Sequence, residues 1–314
     1  MGSSAVALAI SMCLAASQIN VGTIKEKQEP KQSVEVKTTQ SSYEPTVEEK
    51  QEHIFDYDSI AQSMPSVPTV NSKLVGYNDS KSWWFSRNKT KTPPSAQRDI
   101  CTIQYDAYYL GDVSQKVIYL TFDEGYEMGY TEQILDILKE NDVKAAFFVT
   151  KPYIESDPDL VKRMVEEGHV VGNHSVTHPA MSTLSDEKIV NELTGCAEYF
   201  KEVTGVDMPL FFRPPAGEYS IRTLEKTQEL GYKTIFWSFA YQDWLTDAQP
   251  GKQTAYNNII NYSHNGCIML LHAVSKSNTE ALDSAIKELK AEGYRFESLE
   301  NLPKQEEILS RLKK

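Results

Sequence analysis

From residue 116 onward the chain alternates short apolar runs with longer segments whose apolar residues recur every three or four positions. The runs "KVIYLTFD", "KAAFFVT", "VVGNH", "LFFRPP", "KTIFWSF", "CIMLLH" and "RFESL" read as strands. Between them, "TEQILDILKEND" is predicted as a helix opened by Thr131. "DPDLVKRMVEEGH" is predicted as a helix with Asp157 at its N-cap, Pro158 at its first position and Gly168 at its end. A long helix is expected from Ser185 to about Thr204, then "SIRTLEKTQELG", a helix near 252–264, and "NTEALDSAIKELKAEG". Strands alternating with amphipathic helices predict an α/β fold around a parallel sheet, long enough to close or nearly close as a barrel. In such folds the chemistry sits at the carboxyl ends of the strands.

The part before residue 116 has a different texture. The first 24 residues carry no Asp, Glu, Lys or Arg, and "AVALAISMCLAAS" has the length of a signal-peptide apolar run. A basic segment before it is missing, and Ala15-Ala16-Ser17 would serve as a cleavage site. Met12 before Cys13 argues against lipoprotein processing. Residues 25–66 are rich in Lys, Glu, Gln, Ser and Thr and bury too little to offset their ordering entropy. "SWWFSRNKTKTPP" and "YDAYYLGD" are aromatic, and suit an arm packed against the main domain. The expected organisation is a signal peptide or membrane anchor at 1–24, a disordered linker at 25–70, a packed extension at 71–112, the main α/β domain at 113–303 and a tail at 304–314.

Net charge is −12 over 314 residues, which argues against nucleic acid or an anionic membrane surface as partner. Membrane contact is then expected only through the N-terminal segment. Four cysteines without close spacing make neither a zinc ribbon nor a disulfide framework, and Cys267 reads as a small buried thiol.

The strand ends carry the candidate chemistry. Asp123 and Glu124 end the first strand, with Glu127 close behind. His174 and His178 follow "VVGN", Arg213 follows "LFF", Asp243 and Trp244 lie after "TIFWSF", and His272 ends "CIMLL". "HSVTH" spaces two imidazoles at i and i+4, which on one helical turn point the same way and can share a metal ion. A carboxylate from Asp123 or Glu124 would complete a two-His, one-carboxylate set of the kind that holds catalytic zinc with a position left for water. A second carboxylate beside that water can act as general base. Two prolines after Arg213 stiffen the loop that follows, and its guanidinium could hold the base ionised.

"TFDEG", "HSVTH", "RPPAG", "YQDW" and "MLLH", in that order, resemble the motif set of the polysaccharide deacetylases, the NodB-homology domain of carbohydrate esterase family 4. The resemblance implies a distorted or incomplete (β/α) barrel. "TFDEGYEMGYT" and the aromatic arm are similar to a narrower branch, the peptidoglycan N-acetylmuramic acid deacetylases that lead to muramic δ-lactam in spore cortex. The resemblance implies Asp123 as general base, His272 as general acid, Arg213 as partner of the base and Asp243 as the acid that orients the histidine. It implies Glu124, His174 and His178 as ligands of a divalent metal ion, with zinc best suited to that set though other divalent ions accept it. It also implies the Ala216 N–H as oxyanion donor, and Trp244 and Leu270 as walls of the acetyl pocket. The substrate would be the glycan strand of peptidoglycan, met outside the cytoplasm by a monomer.

Three positions depart from the family pattern. Glu124 stands where most members have Asp and carries its carboxylate roughly 1.5 Å further out. Ala240 replaces the first acid of Asp-x-x-Asp-Trp, which implies another support for Arg213. Ala216 replaces the aromatic of Arg-Pro-Pro-Tyr-Gly, which would widen the cleft for a lactyl-bearing sugar. Two other readings stay open: a deacetylase of N-acetylglucosamine in peptidoglycan or chitin-like chains, and an inactive wall-binding module.

Overall fold

The longest strand is β5 (Val117–Glu124), and it is buried along most of its length. A computed structural model describes residues 76–97, 105–305, 307 and 308. The 1–24 segment, the 25–70 linker and Cys101 lie outside the described residues. β5 pairs in parallel with β6 (Ala146–Val149) on one side and β11 (Cys267–His272) on the other. β7 (Val170–Asn173), β8 (Phe211–Phe212), β10 (Lys233–Ile235) and β4 (Ala107–Tyr108) continue the sheet beyond β6. β12 (Arg295–Phe296) lies beside the start of β5. The two edges then approach each other, because Leu110, just past β4, bridges Cys267, and Phe239, after β10, bridges Met269. The result is an incomplete (β/α) barrel.

Seven helices accompany the strands among the described residues: α1 (Thr131–Glu140), α2 (Lys151–Ser156), α3 (Pro158–Glu166), α4 (Asp186–Thr204), α5 (Ile221–Glu229), α6 (Lys252–Tyr262) and α7 (Lys276–Ala291). The short helix α2 is one the sequence pattern does not announce, and Thr150 caps it by accepting from the Tyr153 N–H. Ser185 caps α4 in the same way, and Gly205 ends it in a left-handed conformation.

Parity along β5 sorts its side chains. Val117 and Tyr119 pack into the barrel interior with Phe148, Ile235 and Ile268. Ile118, Leu120 and Phe122 face the helices and pack with residues of α1 and α7, including Ile134, Leu138, Leu282 and Ile286. Each fully buried side chain of this size contributes roughly 1.5–3 kcal/mol. By the same alternation Asp123 belongs to the interior series and Glu124 to the helix-facing series.

Two features differ from the sequence expectations. Helix α1 is not capped by Thr131; Glu127 does this instead, accepting from the N–H groups of Tyr130 at 2.8 Å and Thr131 at 3.3 Å and from the Thr131 hydroxyl. In the aromatic arm, β1 (Lys81–Ser82) pairs antiparallel with β9 (Glu218–Tyr219), while β2 (Phe85–Ser86) and β3 (Ser95–Ala96) form a small hairpin. Trp83 is buried and stacks on Phe236 with centroids 4.7 Å apart, whereas Trp84 is 52% exposed. Ala107–Tyr108 is an edge strand of the barrel sheet itself.

Candidate active site

Register brings the polar strand ends together. His272 lies opposite Asp123 across β11 and β5, and Asn173 opposite Phe212 across β7 and β8. Asp123, His174, His178, Ala216, Trp244, Leu270 and His272 all line one cleft of about 650 Å³ at the carboxyl end of the sheet.

Arg213 is fully buried. Its Nη1 donates to Asp123 Oδ1 at 2.7 Å, and its Nε donates to the Ile235 carbonyl at 3.0 Å. The guanidinium lies 4.2 Å over the Phe148 ring. Gly172 allows this stacking, since a Cβ there would meet the Phe148 ring at 2.7 Å. Nη2 has no hydrogen-bond partner, and Ala240 offers none. A backbone carbonyl and an aromatic face therefore support Arg213 in this chain. Burial opposes the Asp123 charge, but Arg213 first, then His174 and His272, outweigh it and hold the carboxyl below the usual range.

The opposite wall carries His272. Its Nδ1 is 2.7 Å from Asp243 Oδ1, and its backbone N–H donates to Asp243 Oδ2 at 3.0 Å. Because an ionised carboxylate only accepts, Nδ1 carries the hydrogen and Nε2 faces the cleft. Burial disfavours the imidazolium, yet the hydrogen bond and charge of Asp243, with Asp123 beyond, raise its pKa above the ordinary value. The Trp244 ring, 46% exposed, lies 5.4 Å from the His272 ring between centroids.

"HSVTH" is not a helical turn. Ser175 and His178 both adopt left-handed backbone conformations, with φ of 74° and 55°. The loop is held by Glu192, which accepts from the N–H groups of Val176 and Thr177, and by Ser175 Oγ, which accepts from the His178 N–H. The rings nevertheless meet, with centroids 4.9 Å apart. His174 Nδ1 lies 2.8 Å from the Arg213 carbonyl and so carries its hydrogen there, leaving the Nε2 lone pair free, 3.7 Å from Asp123 Oδ2. Burial lowers the His174 pKa to about 4, which favours the neutral, ligating form. Two adjacent imidazoles beside a carboxylate suit a divalent cation as donors.

Glu124 is not brought to that pair. It does not line the cleft, it is fully buried, and neither carboxylate oxygen has a hydrogen-bond partner. Its electrostatic neighbours are Glu127, Asp123 and Asp157, and burial followed by these charges pushes its carboxyl well up. Among the described residues no three His, Cys, Asp or Glu side chains converge as a metal-binding group.

Ala216 is the third non-glycine residue of the site with a positive φ, 53°. Such strain concentrates where function holds the backbone in place. Gly217 beside it has no room for a side chain, because a Cβ would meet the Trp237 ring at 2.7 Å. Residues that sequence reasoning missed include Tyr126, Trp237 and Tyr241, which also line the cleft. Only their aromatic character near a motif could have marked them.

Comparison with known proteins places this geometry. Residues 110–235 match the family model described as polysaccharide deacetylase. The peptidoglycan-N-acetylmuramic acid deacetylase PdaA of Bacillus subtilis is 44% identical over 74% of this chain and 89% of its own length. Its structure, described as a family 4 carbohydrate esterase, superposes with a TM-score of 0.70 at 45% identity, over 72% of this chain and 97% of that one. A peptidoglycan-N-acetylglucosamine deacetylase of Bacillus cereus is 35% identical over 60% of this chain and 89% of its own length. A family 4 pseudoenzyme of Bacillus anthracis matches at 31% identity and a TM-score of 0.59, over 62% of this chain and 68% of that one. Among the described residues no helix is long and apolar enough to cross a membrane. With the barrel, the ordered strand-end residues and relatives matched over most of their length, the chain belongs to the polysaccharide deacetylases of carbohydrate esterase family 4, whose members are generally metal-dependent.

Proposed function

We propose that the protein removes the N-acetyl group from muramic acid residues of peptidoglycan, supplying the free amine from which muramic δ-lactam of spore cortex forms. The observation that carries this reading is the facing pair in one cleft: Asp123 held ionised by Arg213, and His272 held by Asp243 with Nε2 toward the substrate. His174 and His178 would hold a divalent ion, for which zinc is the best fit, and such an ion supplies Lewis acidity to the attacking water and the acetamide carbonyl. Asp123 takes the proton of that water as it adds to the carbonyl carbon. The Ala216 N–H donates to the oxygen that becomes negative. His272 Nε2 gives its proton to the nitrogen as the C–N bond breaks, leaving acetate and an amine. Leu270 and Trp244 enclose the acetyl methyl.

Two things favour muramic acid over glucosamine. Of the two peptidoglycan deacetylases compared above, the muramic acid enzyme has the higher identity, and Ala216 leaves space where an aromatic would stand in the family pattern. The wall outside the cell is the site of action on this reading, reached by export through the apolar N-terminal segment.

The test is acetate release from peptidoglycan whose muramic residues have been stripped of peptide, with and without chelator. Release that chelator abolishes and metal restores supports the proposal. Equal rates on peptide-bearing and stripped glycan, or activity confined to chitin oligomers, would assign the enzyme to glucosamine. No release from metal-replete protein would make it an inactive wall-binding module.

A further inference from the structure

Behind the Asp243–His272 pair lies a polar layer that the reaction scheme does not use. Asp243 is 1% exposed, and besides His272 its Oδ2 accepts from Asn278 Nδ2 at 2.5 Å. Asn278 is equally buried and is the third residue of α7, where its N–H donates to the N-cap Ser275 hydroxyl at 3.2 Å. Its Oδ1 accepts from the hydroxyl of Tyr241. Chemistry fixes the direction of this amide, because a carboxylate only accepts and so must meet the NH₂ group. Burial and the charge of Asp243 raise the Tyr241 pKa, so that hydroxyl stays protonated and serves as the donor.

The asparagine is not needed to cap the helix. Ser275 does that, and Gln249 secures the same turn, accepting from Ser275 Oγ at 2.8 Å and the Ser277 N–H at 3.0 Å. The Asn278 side chain is therefore spent wholly on Asp243 and Tyr241.

We propose that Asn278 and Tyr241 are positioning residues for His272: they lock the Asp243 carboxylate, and through it keep the hydrogen on Nδ1 and Nε2 directed at the cleft. The inference rests on reading His272 as the proton donor. The charged groups facing His272 are Asp243, Asp123 and Arg213, and removing Asn278 alters only the first. Without Asn278, Oδ2 keeps only the His272 N–H, so the carboxylate can rotate. Its hold on the Nδ1 hydrogen then weakens, and with it the support that Asp243 gives the imidazolium.

The experiment compares the wild-type chain with Asn278→Ala and Tyr241→Phe, the second keeping the ring that lines the cleft. Turnover, KM and melting temperature are measured, and nitrogen NMR of histidine-labelled protein follows the titration and tautomer of His272. Asn278→Ala should lose about tenfold or more in kcat, with KM within about twofold. Its His272 should titrate at lower pH and hold the Nδ1-protonated tautomer less completely; Tyr241→Phe should move the same way by less. If both variants keep the wild-type titration and tautomer, whatever happens to turnover or melting temperature, the positioning role is wrong. A His272→Gln variant that still turns over would instead overturn the acid assignment, and the NMR comparison decides the positioning question independently of that.

Discussion

At the scale of the residue, a base has to stay ionised while largely enclosed, and Asp123 does so because the fully buried Arg213 is bonded to it. Asp123→Asn preserves size and the bond from Arg213 but cannot take a proton at neutral pH. Turnover should fall about a hundredfold or more while bound metal, measured by elemental analysis, is retained; loss of both together would make Asp123 a ligand. Glu124 calls for a different outcome. Its side chain lies on the helix-facing side of β5, so Glu124→Ala should leave zinc affinity close to that of the natural chain, whereas His178→Ala should weaken it. Zinc titration of chelator-stripped variants decides this, and equal weakening in both would mean that Glu124 swings round to ligate. Both acids were legible in the sequence as strand-end carboxylates, but the motif alone leaves open which face of β5 each one takes. Burial of Val117 and Tyr119 inside the barrel and of Ile118, Leu120 and Phe122 against the helices is what separates them. Asn278 was invisible for a related reason, since nothing in a helix N-terminus reveals which loop its third residue meets.

At the scale of the element, loops rather than helices carry the site, and acids far from the chemistry shape them. Glu127 ties the loop after β5 to the start of α1, and also lies 3.3 Å from the Tyr153 hydroxyl. Glu192, on α4, holds the histidine loop. The i, i+4 spacing of His174 and His178 was legible, and their meeting followed, but by way of two left-handed residues and not a helical turn. The arm offers a test of its own. Trp83 donates from its indole to the Trp237 carbonyl at 2.9 Å and packs under Gly217, next to the cleft wall. Trp83→Ala should cost about 3–5 kcal/mol of stability, in the range of buried aromatic truncations, and should loosen the Ala216 turn. Trp84→Ala should leave the melting temperature within error. Thermal unfolding of the two variants checks this, and equal effects would mean that the arm does not discriminate its adjacent tryptophans.

At the scale of the whole molecule, the alternation of strand and helix was legible because it rests on burial alone, whereas the closure through Leu110 and Phe239 rests on isolated bridges that no periodicity marks. The same burial makes the fold sensitive to acid. His169 and His264 are enclosed, and burial lowers both pKa values to about 4 from the ordinary 6.5. Between those values the unfolded chain binds protons that the folded chain refuses, so acidification favours unfolding. Their contribution is complete above pH 6.5 and is lost as pH falls toward 4, at up to about 1.4 kcal/mol per pH unit for each. His272 has the opposite sign: its raised pKa makes its contribution complete below 6.5 and lost only as pH rises, so it leaves this window untouched. Asp123, held low, acts below the ordinary carboxylate range and is also outside it. His174 shares the low value, but a bound ion would compete with protons there, so the informative variants are His169→Gln and His264→Gln. Glu124, pushed well up by burial, takes a proton more readily in the folded chain and adds stability as pH falls through the same window, so the comparison is between proteins: in denaturant unfolding at intervals from pH 7 to 4.5, the wild-type chain should lose stability relative to the double variant as pH falls. The same slope in both proteins would mean that these histidines open to water before the chain unfolds.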